Sequence, residues 1–230
     1  MKGVITVDDI VDVVQSEVTE DIHKLGGMEA ILDAPYLQID LLQMIQKRAP
    51  WLVILFLSEM LTTTAMNHYE GEIAKAAVLA TFVPLIISSG GNSGSQACTL
   101  VIRALVLGQV RGRNWFRVLR RELATGLMLG TILAIIGFAR ITVWHFLFRD
   151  AAGVGMYGPH FELVALTVAL SLIGVVMWGT LSGSMLPLLL RQLKMDPASA
   201  SAPFVATLVD VTGLVIFFTV ASRILEGTLL

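Results

Sequence analysis

Charge is scarce in this sequence. Only 15% of its 230 residues are charged and 55% are hydrophobic, and mean hydropathy is +0.77. A water-soluble domain of this length would carry about 25% charged residues. Cysteine is almost missing: with Cys98 alone, no internal disulfide and no thiolate metal cluster can form. Cys98 reads as a small packing residue. The net charge of −2 lacks the basic excess that nucleic-acid binding requires. Gly90-Gly91-Asn92-Ser93-Gly94-Ser95-Gln96 has no lysine of a phosphate-binding loop, so no ATPase motif is present. The N-terminal MKGVITVDDIVDVV carries acids where a signal peptide would have an apolar core, so no cleaved targeting segment is expected.

The sequence is rich in long apolar blocks. They do not alternate, which excludes an outer-membrane barrel and predicts an all-α membrane protein. Five blocks are long enough to span, at about 51–66, 73–107, 123–138 (continuing toward 148), 163–190 and 202–224. The second exceeds the ~20 residues of one straight span. Basic residues set the orientation. Lys47 and Arg48 precede the first span, Arg111, Arg113, Arg117, Arg120 and Arg121 separate the second and third, and Arg191 and Lys194 separate the fourth and fifth. The positive-inside rule then puts the N-terminus in the cytoplasm of a multi-pass plasma (inner) membrane protein surrounded by lipid.

The segment before the spans reads in three parts. Val4-Ile5-Thr6 is β-branched and predicts a strand, with Asp8 or Asp9 capping a short helix behind it. The acidic SEVTEDIHKLGG predicts a helix stopped at Gly26-Gly27. In the next stretch Leu37, Leu41, Leu42 and Ile45 share one face, which suits either a membrane-surface helix or a regulatory element. Domains are expected at 1–14, 15–49 and 50–230, the last being the membrane domain.

Three features of the spans carry chemistry. Asp210 lies within the fifth span, where a carboxylate costs several kcal/mol without a partner, water or an ion. Pro203, Ala206, Thr207 and Asp210 share a helical face, and proline, having no N–H, is expected to free nearby carbonyls. Carboxylate and carbonyl oxygens suit Mg²⁺ or Ca²⁺. A buried salt bridge to a residue such as Arg103 is the structural alternative. A two-fold dimer with facing fifth spans would double the charge at Asp210. The run Ser88 to Gln96 predicts irregular, pore-lining backbone with exposed carbonyls, or close helix packing through small residues. Glu59 is a second intramembrane acid, near Ser58, Thr62, Thr63 and Thr64, and is equally compatible with a protonated, hydrogen-bonded carboxyl or an ion ligand. Gly91-Asn92-Ser93-Gly94 also matches the motif around the serine of rhomboid-type intramembrane proteases. That chemistry needs a histidine at the same depth, and His23, His68, His145 and His160 all lie outside the confident spans.

FVPLIISSGGNSGSQACTLVIRAL and MLPLLLRQLKMDPASASAPFVATLVDVTGLVIFF resemble the membrane domain of the MgtE family of magnesium channels or transporters. VTEDIHKLGG resembles that family's connecting (plug) helix, and GVITVDDIVDV the end of its second CBS domain. The resemblance implies five spans, a homodimer and an axial pore lined by the second and fifth helices. It implies that Asp210 holds the permeating Mg²⁺ through its water shell, with backbone carbonyls of Ala206, Ser88 and Gly91 as further contacts. It also implies regulatory Mg²⁺ near Glu20, Asp21 and Asp196. The cytoplasmic sensor is expected to be missing, Thr6 and Asp9 being the remains of a nucleotide contact, and gating by Mg²⁺ is expected to be weak. Two positions depart from the family pattern: Ala202 stands where an asparagine is expected, and Glu59 has no counterpart. The implied activity is selective Mg²⁺ import. An Na⁺- or H⁺-coupled divalent-cation exchanger is the alternative that Glu59 would favour.

Overall fold

The computed structural model describes residues 7–30, 35–75, 77–148 and 155–229. The predicted strand at Val4–Thr6 lies outside them. The elements are α1 (Val7–Leu25), α2 (Leu41–His68), α3 (Glu70–Lys75), α4 (Ala77–Ala80), α5 (Val83–Val106), α6 (Trp115–Leu147), α7 (Phe161–Gln192) and α8 (Ala202–Leu225), with short 3₁₀ turns before α2, α6 and α8. Five helical segments are long and apolar enough to cross a membrane, so the protein is an all-α, multi-pass membrane protein.

Two helix boundaries differ from expectation. α1 runs as one helix from Val7, joining the short helix expected behind Asp8 or Asp9 to the helix expected over SEVTEDIHKL, and ends where Gly27 turns with φ +71°. The first span begins at Leu41, because the Asp40 carboxylate accepts from Leu42 N–H and caps the helix there. Pro50 is carried inside α2, so the amphipathic stretch before the span and the span itself are one helix. The overlong second block is resolved by a break at Thr81-Phe82, after which Pro84 occupies the first turn of α5.

Packing follows the alternation of spans. α7 touches α5, α6 and α8, α8 touches α5 and α7, and α2 packs on α8. The contacts between α5 and α7 run through glycines. Gly179 stands over the Gly90 backbone and Gly183 over the Gly94 backbone. Both numbers rise together, so α5 and α7 are parallel, as second and fourth spans must be. Gly126 meets Thr180 and Gly130 meets Ile173 in the antiparallel α6–α7 pair. Small residues let membrane helices approach closely where hydrocarbon solvent gives no hydrophobic drive.

The basic loops share one end of the bundle. Arg191 donates to the Val110 carbonyl at 3.1 Å, tying the end of α7 to the α5–α6 turn. Trp51 near the start of α2 donates its indole N–H to Ser201 Oγ at 3.2 Å, and that hydroxyl accepts from Phe204 N–H at the start of α8.

Candidate cation site

α8 carries Asp210 between two neighbours. Toward α5, Gly91 is buried beneath Ala206 and Asp210: a Cβ at Gly91 would lie 3.5 Å from Ala206 Cα and 3.6 Å from Asp210 Oδ1. Toward α2, Glu59 is an ionisable neighbour of Asp210 among the described residues. Pro203, Ala206, Thr207 and Asp210 share a half-buried face, as their spacing predicts. Among the described residues Asp210 has neither an ion pair nor a hydrogen bond, so the salt bridge to Arg103 does not form.

The run Ser88 to Gln96 is α-helical throughout, which corrects the expectation of irregular backbone. Glycine weakens a helix in water, but here Gly90 and Gly94 allow α5 to press on α7, and that contact supports the helix. The close-packing alternative holds for one face. The opposite face is polar: Ser88, Asn92, Gln96 and Thr99 are exposed, with Asn92 Nδ2 donating to Ser88 Oγ at 3.4 Å. The carbonyls of Ser88 and Gly91 therefore lie in a continuous helix beside Asp210. The proline effect also differs from expectation. Pro203 is the second residue of α8, where its missing N–H disrupts nothing. Its carbonyl accepts from Thr207 Oγ1 at 3.1 Å, and Ser201 caps the helix.

The three acids read as regulatory meet at the end of α1. Lys24 pairs with Glu20 at 2.5 Å and with Asp196 at 2.6 Å. Asp196 also accepts from Ala198 N–H, which shapes the turn before α8. Burial alone would raise the Asp196 carboxyl. The Lys24 hydrogen bond and the Ala198 N–H outweigh it and hold Asp196 below its ordinary value. Burial, and then the nearby Asp196 charge, push Asp21 up. Hydrogen bonds to Asp196 and Glu20 raise Lys24. Lys24 went unremarked in the sequence, although its position four residues after Glu20 is a helical ion-pair signal. The Trp51–Ser201 link was also missed, and Ser201 two residues before Pro203 is its trace.

These shifts predict how α1 docking depends on pH. The lowered Asp196 value contributes stability above the ordinary carboxylate range that is lost as pH falls through its folded value. Asp21, shifted up, opposes this by being relieved on acidification. The raised Lys24 contributes below its ordinary value, 10.5, and that contribution is lost at higher pH. α1 should thus stay docked between the ordinary values of these groups, 3.8 for Asp196 and 10.5 for Lys24, and loosen outside that window. The pair is partly solvated, so Lys24→Met should weaken docking by only about 1 kcal/mol. Spin-label distances between α1 and the Pro197–Ser199 turn should broaden in that variant at pH 7. An unchanged distribution would mean that other contacts hold α1.

The five membrane-crossing helices, the intramembrane carboxylate without a partner among the described residues and the open polar face define a polytopic membrane protein with a candidate cation site. The chain is a member of the MgtE family: residues 83–220 match the family model, described as a divalent cation transporter. It is 39% identical over 225 residues to the magnesium transporter MgtE of Thermus thermophilus, covering 98% of this chain and 46% of that protein. It is 33% identical over 226 residues to the magnesium transporter MgtE of Enterococcus faecalis, covering 97% of this chain and 46% of that protein. The Bacillus subtilis protein of the same name is 29% identical over 228 residues, covering 98% of this chain and 46% of that protein. The chain thus spans about half the length of these relatives. Family members are transporters and not enzymes, which removes the serine-protease reading. Consistently, Ser93 Oγ is buried without a partner, while His145 is stacked on Phe161 at 3.8 Å.

Proposed function

We propose that two copies of this chain form a membrane path for Mg²⁺ along their common axis, lined by α5 and α8, with Asp210 of both copies holding the hydrated ion. The observation that carries this reading is the exposed stripe Ser88, Asn92 and Gln96 beside Asp210. Amides facing hydrocarbon are expensive, so the stripe needs water or a second chain against it. Doubling the carboxylate on an axis matches the ion's charge, and Mg²⁺ keeps most of its water when bound. Each helical carbonyl retains a second lone pair, so Ser88, Gly91 and Ala206 can accept from the water shell. The names of the relatives support Mg²⁺ as the ion. Basic loops at one end support a cytoplasmic N-terminus in the plasma membrane and an inward direction. At 100 mV a divalent ion gains about twice 2.3 kcal/mol on entry.

The acids Glu20, Asp21 and Asp196 would serve as a cytoplasmic Mg²⁺-sensing contact between α1 and the loop before α8. Residues 50–230 would form the pore domain, 15–49 the connecting region and 1–14 the end of a CBS domain, with a cytoplasmic sensor as partner. The test is Mg²⁺ uptake by liposomes containing the chain, with oxidative cross-linking of Asn92→Cys. Uptake above that of empty liposomes and a dimer band are expected; Cys98 is buried and should not cross-link. Monomeric Asn92→Cys with undiminished uptake would reject the axial path.

A further inference from the structure

Glu59 has no hydrogen bond or ion pair among the described residues. Its level in the bundle is fixed by two ring contacts. Trp51 lies 6.4 Å from Phe204, and Tyr69 stacks on Phe218 at 4.9 Å. Both pairs ascend together, so α2 and α8 are parallel. Glu59 and Asp210 each stand a little under halfway between the two contacts on their own helix. They are therefore at one depth.

The face of α2 that bears Glu59 is turned inward. Leu55, Ser58, Glu59, Thr62, Ala65, Met66 and Tyr69 recur at helical spacing and are half-buried, whereas Leu57, Met60 and Leu61 are exposed. On that face Thr62 Oγ1 is completely enclosed and has no hydrogen-bond partner. Thr62 adds a second polar side chain to this inward face. It lies one turn from Glu59.

We propose that Glu59 is a second carboxylate of the cation path, set at the level of Asp210 to favour divalent over monovalent ions. This rests on the reading of Asp210 as the ion-holding residue. The physical reason is that Coulomb attraction scales with the charge of the ion. An added carboxylate that improves the binding of a monovalent ion by some factor improves that of a divalent ion by the square of that factor. It also doubles the charge each chain brings, from −1 to −2.

The experiment is Mg²⁺ and Na⁺ flux through the 230-residue chain in liposomes, with Glu59→Gln, Glu59→Asp and Asp210→Asn compared. Glu59→Gln keeps size and hydrogen-bonding capacity while removing charge. It should raise the half-saturating Mg²⁺ concentration by about tenfold and lower Mg²⁺-over-Na⁺ discrimination by about threefold. Glu59→Asp should restore most of both. The Mg²⁺ concentration that stabilises detergent-solubilised protein against heating should shift in parallel. That readout does not depend on flux and exposes a misfolded variant. If Asp210→Asn loses uptake while Glu59→Gln leaves half-saturation and discrimination unchanged, Glu59 is not in the path and the Asp210 reading stands. If Asp210→Asn has no effect, both fall together.

Discussion

Asp210→Asn should reduce Mg²⁺ uptake by at least about 100-fold while leaving the folded protein intact. The electrostatics set that scale. A +2 ion about 4.5 Å from a carboxylate gains about 2 kcal/mol even at the dielectric constant of water, and more in the protein. Each 1.4 kcal/mol is a factor of ten. In the proposed dimer the two carboxylates would compound the effect. Asparagine fills the same volume and removes the desolvation burden of an unpaired acid, so stability should hold or rise. Asp210→Glu should retain measurable uptake, because the charge persists, but with altered discrimination as the carboxylate moves toward the axis. Liposome flux and a melting curve in detergent check both halves. Uptake unchanged in Asp210→Asn would remove Asp210 from the path. Uptake lost together with the fold would make it a structural residue.

The placement of Asp210 was legible because hydrocarbon makes charge expensive. Any acid in a 24-residue apolar helix draws attention, and the spacing from Pro203 identified the half-buried face. The five spans were legible for the same reason. Their ends were less so. The start of α2 depends on a cap at Asp40 and on the tolerance of Pro50 inside the helix, and neither outweighs a hydropathy window. The run from Ser88 to Gln96 misled because glycine and serine have poor helix propensity in water. Whether such a run breaks depends on what it packs against, and the partner residues, Gly179 and Gly183, lie far along the chain. The meeting of Glu20 and Asp196 around Lys24 follows from the resemblance rather than from local pattern, since 172 residues separate Lys24 from Asp196. The level of Glu59 against Asp210 required the register of two helices, which sequence periodicity does not contain.

The glycines of the α5–α7 crossing should be the least replaceable residues for stability. At Gly179 a methyl group would press into the Gly90 carbonyl and lie 3.0 Å from its carbon and 3.3 Å from its Cα. At Gly183 it would meet the Gly94 backbone in the same way, 2.8 Å from the carbonyl carbon. These obstacles are backbone and cannot rotate aside, so the helices must separate. Overpacking of this kind costs about 1–3 kcal/mol and occasionally more, and separation also strips contacts along both helices. Gly179→Ala and Gly183→Ala should each lower stability by about 3 kcal/mol. Gly71→Ala, with nothing within 4 Å of the added atom, should leave it unchanged. Gly91 gives the informative contrast. Its added methyl would sit at ordinary contact distance from Ala206 and Asp210, so Gly91→Ala should fold normally and lose uptake. Melting curves in detergent alongside liposome flux separate the two classes. A Gly179→Ala protein that melts with the wild type would mean α5 and α7 do not cross at these glycines, and the polar stripe on α5 would then lose its fixed position beside Asp210.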